Sequence, residues 1–236
     1  MENMNTLKEI ESKSLSKRQF IRCCLLGAGG FIASLDRLER AAGTFASRMA
    51  DEVAPEELWK WSKEALFYTA APGGLKCQKC PNGCILGTGD TGRCRNRVNY
   101  KGKMYTNVYG NPCAVHIDPI EKKPLFHFLP STKAFSIATA GCNLSCLNCQ
   151  NWQISQVSPK ETENIDLMPQ KVVDECIASN CQSIAYTYSE PTTFYEYAYD
   201  TARLAREKGI KNIWKSNGYI NEEPLRKLSR YIDAAN

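Results

Sequence analysis

Cysteine restricts this chain more than any other residue type. Twelve of its 236 residues are cysteines. Most stand in two short-spaced groups rather than at the wider intervals of a small disulfide framework. One group is Cys142-Asn143-Leu144-Ser145-Cys146-Leu147-Asn148-Cys149, a C-x3-C-x2-C loop. The other is Cys77, Cys80, Cys84 and Cys94, four thiols within 18 residues. Such grouping in a chain of this length points to metal or cluster ligation in a reducing compartment. Three close thiolates hold three irons of a [4Fe-4S] cube and leave the fourth iron open to another ligand. Four thiolates close a site, which makes the upstream group structural or electron-relaying; zinc and a second iron–sulfur cluster both fit. Cys113 is an alternative fourth ligand there, and Cys176 and Cys181 read as packing residues. For the three-cysteine loop the alternatives are a zinc site that borrows a distant fourth ligand, and three unrelated core cysteines.

The order of elements places these groups. Residues 1–50 read as leader and linker. The basic run Ser16-Lys17-Arg18-Gln19-Phe20-Ile21-Arg22 precedes a short apolar stretch and resembles a twin-arginine export signal with Lys17 in place of the first arginine; a basic, amphipathic N-terminal extension is the alternative. Residues 51–131 form an N-terminal Cys-rich region of short strands and turns. Its start, from Pro55 through Phe67, has the acids and apolar spacing of a short helix. Residues 98–106 read as two strands about a Lys101-Gly102 turn.

Residues 132–236 alternate strand and helix. Strands are expected at 133–139, 183–188 and 211–215. Helix faces are expected at Val172, Val173, Cys176 and Ile177; at Phe194, Ala198, Ala202 and Ala205, stopped by Gly209; and at Leu225, Leu228 and Ile232. This is an α/β pattern of parallel strands joined by crossover helices. In such folds the working residues lie in loops after the C-terminal strand ends, where the three-cysteine loop falls. Three βα units are complete and residues 232–236 enter a fourth strand, which reads as the front part of a longer protein. Hydrophobic residues make up 43% and charged residues 23%, and the formal charge is only +5. That balance singles out neither nucleic acid nor a membrane as partner.

The resemblance carried by these motifs is specific. Asp118-Pro119-Ile120-Glu121-Lys122-Lys123-Pro124-Leu125-Phe126-His127-Phe128, followed by Gly141-Cys142-Asn143 and Cys149-Gln150-Asn151-Trp152, resembles the AmmeMemoRadiSam system radical SAM proteins. These are similar to pyruvate formate-lyase-activating enzymes, and the likeness runs from about Cys77 to Asn236. It implies a partial radical SAM (βα) barrel and a [4Fe-4S] cluster on Cys142, Cys146 and Cys149. It also implies S-adenosylmethionine (SAM) on the open iron, and reductive cleavage to a 5′-deoxyadenosyl radical that abstracts hydrogen from a protein glycine or a small molecule. Ser189-Glu190-Pro191 is similar to the family element that holds the methionyl ammonium, with Tyr188-Ser189 where two glycines are common. Ser216-Asn217-Gly218 is similar to the element that touches the ribose and carboxylate of SAM.

Asn148 stands where an aromatic residue often faces the adenine. Trp152 is close by, although a core or surface role fits it equally well. A low-potential donor, ferredoxin or flavodoxin, is implied, which favours the cytoplasm over export. Glu121-Lys122-Lys123-Pro124 recurs in the family without a derivable role. His116 and His127, the only histidines, lack metal-ligand spacing and read as structural. The rival readings are a non-catalytic zinc or iron–sulfur protein and an electron-transfer protein.

Overall fold

The structure, a computed structural model, describes residues 58–236. The leader expected over residues 1–50 and the first residues of the helix expected from Pro55 lie outside the described residues.

Short strands come first. β1 (Lys63–Glu64), β2 (Tyr68–Ala71), β3 (Gly74–Cys77), β4 (Ile85–Leu86), β5 (Arg97–Tyr100) and β6 (Lys103–Thr106) form two small antiparallel sheets, ordered β1-β6-β5 and β2-β3-β4. The expected hairpin is present. Lys101 and Gly102 take φ of 50° and 80°, the left-handed pair that lets a two-residue turn follow the twist of its strands. The helix expected through Phe67 is absent over the described residues. A turn at Lys60 and Trp61 leads into β1, where Lys63 pairs with Thr106. The apolar side chains that suggested a helix find distant partners instead: Leu66 and Phe67 pack against the main core.

The main sheet is built from β7 (Ala114–Pro119), β8 (Lys133–Ala138), β9 (Ser183–Tyr186), β10 (Lys211–Trp214) and β11 (Ala234–Ala235), in the order β11-β10-β9-β8-β7. β8 to β11 run parallel, and β7 pairs antiparallel with β8 along one edge. With β7 and β11 as edges, these strands form an open sheet rather than a closed barrel. Parallel pairs need long crossovers, supplied by α1 (Pro169–Ala178), α2 (Tyr195–Glu207) and α3 (Glu222–Ser229). Pro169 opens α1, where its missing N–H removes no helical bond. Gly209 stops α2 with φ of 74°, and Ile210 N donates back to the Ala205 carbonyl at 2.9 Å.

The two faces of the sheet differ. Phe135, Ile137, Ile184, Tyr186 and Trp214 face the helices in the principal core, against Val172, Val173, Cys176, Phe194, Ala198, Ala202, Ala205 and Leu228. Cys176 and Cys181 belong to that core, as expected of packing residues. Ile177 and Leu225 do not join it; they are 46% and 45% exposed. Ile232 falls after α3 ends at Ser229. The other face carries small or polar side chains near its centre, Ala134, Ser136 and Ala185, and this leaves room above it. Among the described residues no helix is long and apolar enough to cross a membrane.

Candidate active site at the C-terminal strand ends

The three loops expected to contact the SAM-binding cluster and SAM each leave the C-terminal end of a parallel strand. β8 runs through Thr139, Ala140 and Gly141 into Cys142. β9 leads to Ser189 and Glu190, and β10 to Ser216 and Asn217. Gly141 is where the first loop can turn: its φ is 92°, and a Cβ there would lie 2.3 Å from the Cys94 carbonyl oxygen and 2.5 Å from Asn96 Oδ1. The three-cysteine loop is therefore seated directly on the upstream cysteine region. Asn96 Nδ2 donates to the Ala140 carbonyl at 2.8 Å from the same side.

Glu190 is the buried hub, 4% exposed. Its Oε1 accepts from Thr192 N at 2.9 Å and from Ser216 Oγ at 2.7 Å, and its Oε2 accepts from Asn217 N at 2.7 Å. The structure thus brings Glu190, Ser216 and Asn217 together across two βα units. Glu190 also caps the short helix Pro191–Phe194 through its bond from Thr192 N. The Ser189 hydroxyl donates to the Thr139 carbonyl at 2.6 Å and ties the second loop to the first.

Asn143 completes the assembly and escaped the sequence reading. Its Oδ1 accepts from Asn217 Nδ2 at 2.9 Å, its Nδ2 donates to the Tyr219 carbonyl at 2.8 Å, and its own carbonyl accepts from Asn82 Nδ2 at 2.8 Å. Its position directly after the first cysteine was the only available signal. Cys142 and Cys149 are half-buried and Cys146 is exposed. Burial pushes the Cys142 thiol up, the Leu144 N–H opposes this, and the charges of Glu190, Cys146 and Cys149 push it further; the three sulfurs sense one another. Trp152 lies on the surface, 60% exposed.

Upstream, Cys77, Cys80, Cys84 and Cys94 line one small cavity, with Lys79, Arg97, Asn143 and Thr193 in its wall. Cys113 is not among them; it lies before β7, where burial pushes its thiol up to about 11. Arg97 and Glu196 are fully buried and paired, Nη2 to Oε1 at 2.7 Å. Arg97 Nε and Nη1 and Glu196 Oε2 have no partner. Lys79, also buried, donates to the Thr193 carbonyl at 2.9 Å. All ten described cysteines are free thiols. Among the described residues, no three His, Cys, Asp or Glu side chains converge closely enough to hold a single metal ion.

The donor sets fit the expected groups in kind. Three sulfurs on one loop leave a ligand position open, and four sulfurs around an enclosed cavity do not. His116 lies on β7, edge-on to the Tyr188 ring at 5.6 Å, and His127 is exposed.

Loops that carry cysteines, a buried glutamate and an Asn-Gly turn thus lie together at the C-terminal ends of three parallel strands. Residues 136–236 match the Radical SAM superfamily. The chain is also 47% identical over 175 residues to an uncharacterized protein of Methanocaldococcus jannaschii, covering 74% of this chain and 52% of that protein. It therefore spans about half the length of this relative.

Proposed function

We propose that this chain is the SAM-binding part of a radical SAM enzyme of the AmmeMemoRadiSam type, similar to pyruvate formate-lyase-activating enzymes. In this reading Cys142, Cys146 and Cys149 hold a [4Fe-4S] cluster. The observation that carries it is the convergence of the loops after β8, β9 and β10 on Glu190, with Ser216 and Asn217 bonded to its carboxylate. When bound, the cluster supplies the electron that splits the sulfonium of SAM into methionine and a 5′-deoxyadenosyl radical for hydrogen abstraction.

The chain's own residues bind and orient. Glu190 offers a buried carboxylate to a substrate ammonium, a charge-assisted contact stronger than a neutral one. Ser216 and Asn217 hold that carboxylate in place and present the ribose and carboxylate contacts. Ser189 and Asn143 lock the loops to one another. Such pre-positioning is where a protein contributes when its cofactors carry the chemistry. Residues 132–236 form the core and residues 51–131 its Cys-rich support. A ferredoxin or flavodoxin serves as the electron donor, which favours the cytoplasm.

The upstream cysteines form a second, closed centre in this reading. Lys79 and Arg97 bring two buried positive charges to the cavity against the single carboxylate of Glu196, and two guanidinium nitrogens lack acceptors. A tetrathiolate bound to a divalent ion is anionic and supplies those acceptors. Four thiolates suit zinc or a second iron–sulfur cluster.

Anaerobic reconstitution with iron and sulfide, followed by dithionite and SAM, tests the reading. We expect 5′-deoxyadenosine, lost with the cluster in Cys146→Ala. In Glu190→Gln, 5′-deoxyadenosine should fall by about tenfold or more, while cluster absorbance is retained. Zinc without iron–sulfur absorbance, or a reduced cluster whose paramagnetic spectrum ignores SAM, overturns it.

A further inference from the structure

The open face of the main sheet carries a cavity of about 380 Å³ beside the Glu190 loops. Its wall gathers His116 from β7, Lys122 and Lys123 from the turn after β7, Asn151 behind the third cysteine, Tyr188 after β9 and Lys215 after β10. The volume lies in the range of small-molecule sites, roughly 300–1,000 Å³. No arginine and no carboxylate is among the lining residues.

The charge of this wall is lopsided. Asp118 lies behind it, 5% exposed. It accepts from Lys123 Nζ at 2.5 Å, Lys122 Nζ at 2.8 Å and Ser136 Oγ at 2.9 Å, and also from the Tyr188 hydroxyl. Lys123 is 1% exposed and fully engaged; its ammonium lies 4.6 Å from the centre of the Tyr188 ring. Two ammonium groups thus share one carboxylate, and Lys215 adds a third positive charge to the wall. Lys215 pairs with no carboxylate among the described residues, and the Lys122 side chain keeps 60% of its surface open. The Glu121-Lys122-Lys123-Pro124 turn, without a role in the sequence, here delivers two of the three charges. Lys123 braces Asp118 and Tyr188; Lys122 also bonds Asp118 but keeps much of its side chain open in the cavity wall.

We propose that this cavity is the substrate site and that it takes a small molecule bearing a carboxylate or a phosphate, held between Lys122 and Lys215. The inference rests on the radical SAM reading only for the word substrate; the anion site itself stands on the geometry. Lysines act as point charges and accept either oxyanion, whereas a bidentate carboxylate fork would need arginine. The same charges disfavour the sulfonium and ammonium of SAM. SAM is thereby directed to the Glu190 side, and the anion is placed next to it.

The test uses the full chain in low-salt buffer and two probes, glutarate for carboxylates and inorganic pyrophosphate for phosphates, each followed by calorimetric titration. Binding of either at one per chain, weakening as sodium chloride rises, is expected; which probe binds tells the two oxyanions apart. In the Lys122→Gln/Lys215→Gln double variant affinity should fall by about tenfold or more, and Lys122→Arg/Lys215→Arg should recover it. Lys171→Gln, on the exposed side of α1, should bind like the wild type. The anion should still bind to Cys142→Ala protein that lacks a cluster, which separates this site from the fate of SAM cleavage. Failure of both probes, equal binding by the double glutamine variant, or displacement of the anion by SAM would each overturn the proposal. The last outcome would mean that the lysines hold the carboxylate of SAM itself.

Discussion

Asp118 accepts four hydrogen bonds from side chains of the sheet and of the two loops above it, and two of the donors are ammonium groups. Burial alone would raise its pKa. The bonds from Lys122, Lys123, Tyr188 and Ser136 outweigh that and hold the carboxyl well below the usual carboxylate range. A carboxyl depressed in the folded state contributes stability that is complete above its unfolded pKa of about 3.9 and is lost as the pH falls below it. Asp118→Asn removes the counter-charge of buried Lys123, a change expected to cost about 3–5 kcal/mol. It should also flatten the acid limb: between about pH 6 and about pH 3 the wild type should lose more stability than the variant. Urea unfolding at both pH values measures this, and equal losses would mean that Asp118 is not the linked group.

At the scale of elements, α1 separates what the pattern foretold from what it blurred. Val172, Val173 and Cys176 are fully buried, whereas Ile177, grouped with them by spacing, is 46% exposed. Val173→Ala should destabilise by about 2 kcal/mol through lost burial and a residual cavity. Ile177→Ala should stay within about 0.5 kcal/mol. Thermal unfolding of the two variants side by side checks the contrast, and equal costs would contradict the packing described.

The sequence made the repeating parts readable because helix faces and buried strands are local signals. The parallel strands, the α2 face and the loops at their ends appeared where periodicity and motif placed them. Two elements were hidden for physical reasons. β1 exists only because Lys63 and Glu64 pair with β6, some forty residues later, and no local pattern encodes that partner. β7 carries Ile117 half exposed and ends in Pro119, which reads as a loop until Lys133 is found opposite it. Of the site, the cysteines, Glu190 and Asn217 were visible as motif. Asn143 and the lysine wall needed three dimensions, since their partners lie on other elements.

At the scale of the whole molecule, α2 joins the small upstream sheets to the main sheet. Glu196 Oε1 accepts from Arg97 Nη2 of β5 and from Leu66 N at 2.9 Å. One turn on, Asp200 Oδ2 accepts from Lys63 Nζ at 2.5 Å and from the Tyr109 hydroxyl at 2.7 Å. The Arg97–Glu196 pair lies out of water; burial pushes the carboxyl up, but the charges of Arg97 and Lys79 together with backbone bonds hold it below its ordinary value. Removing either member leaves the other charge buried and uncompensated, so Arg97→Met and Glu196→Leu alone should each cost about 3–5 kcal/mol. Replacing both removes the desolvation penalty with the pair, and the double variant should cost less than either single change. A double-mutant cycle by urea unfolding reads the coupling. Arg97 also lines the cavity of the four upstream cysteines, so its loss should loosen any metal held there, and the Arg97→Met protein should yield its metal to a chelator faster than Glu196→Leu. Additive costs in the cycle would show that Arg97 and Glu196 act independently rather than as a pair across the junction.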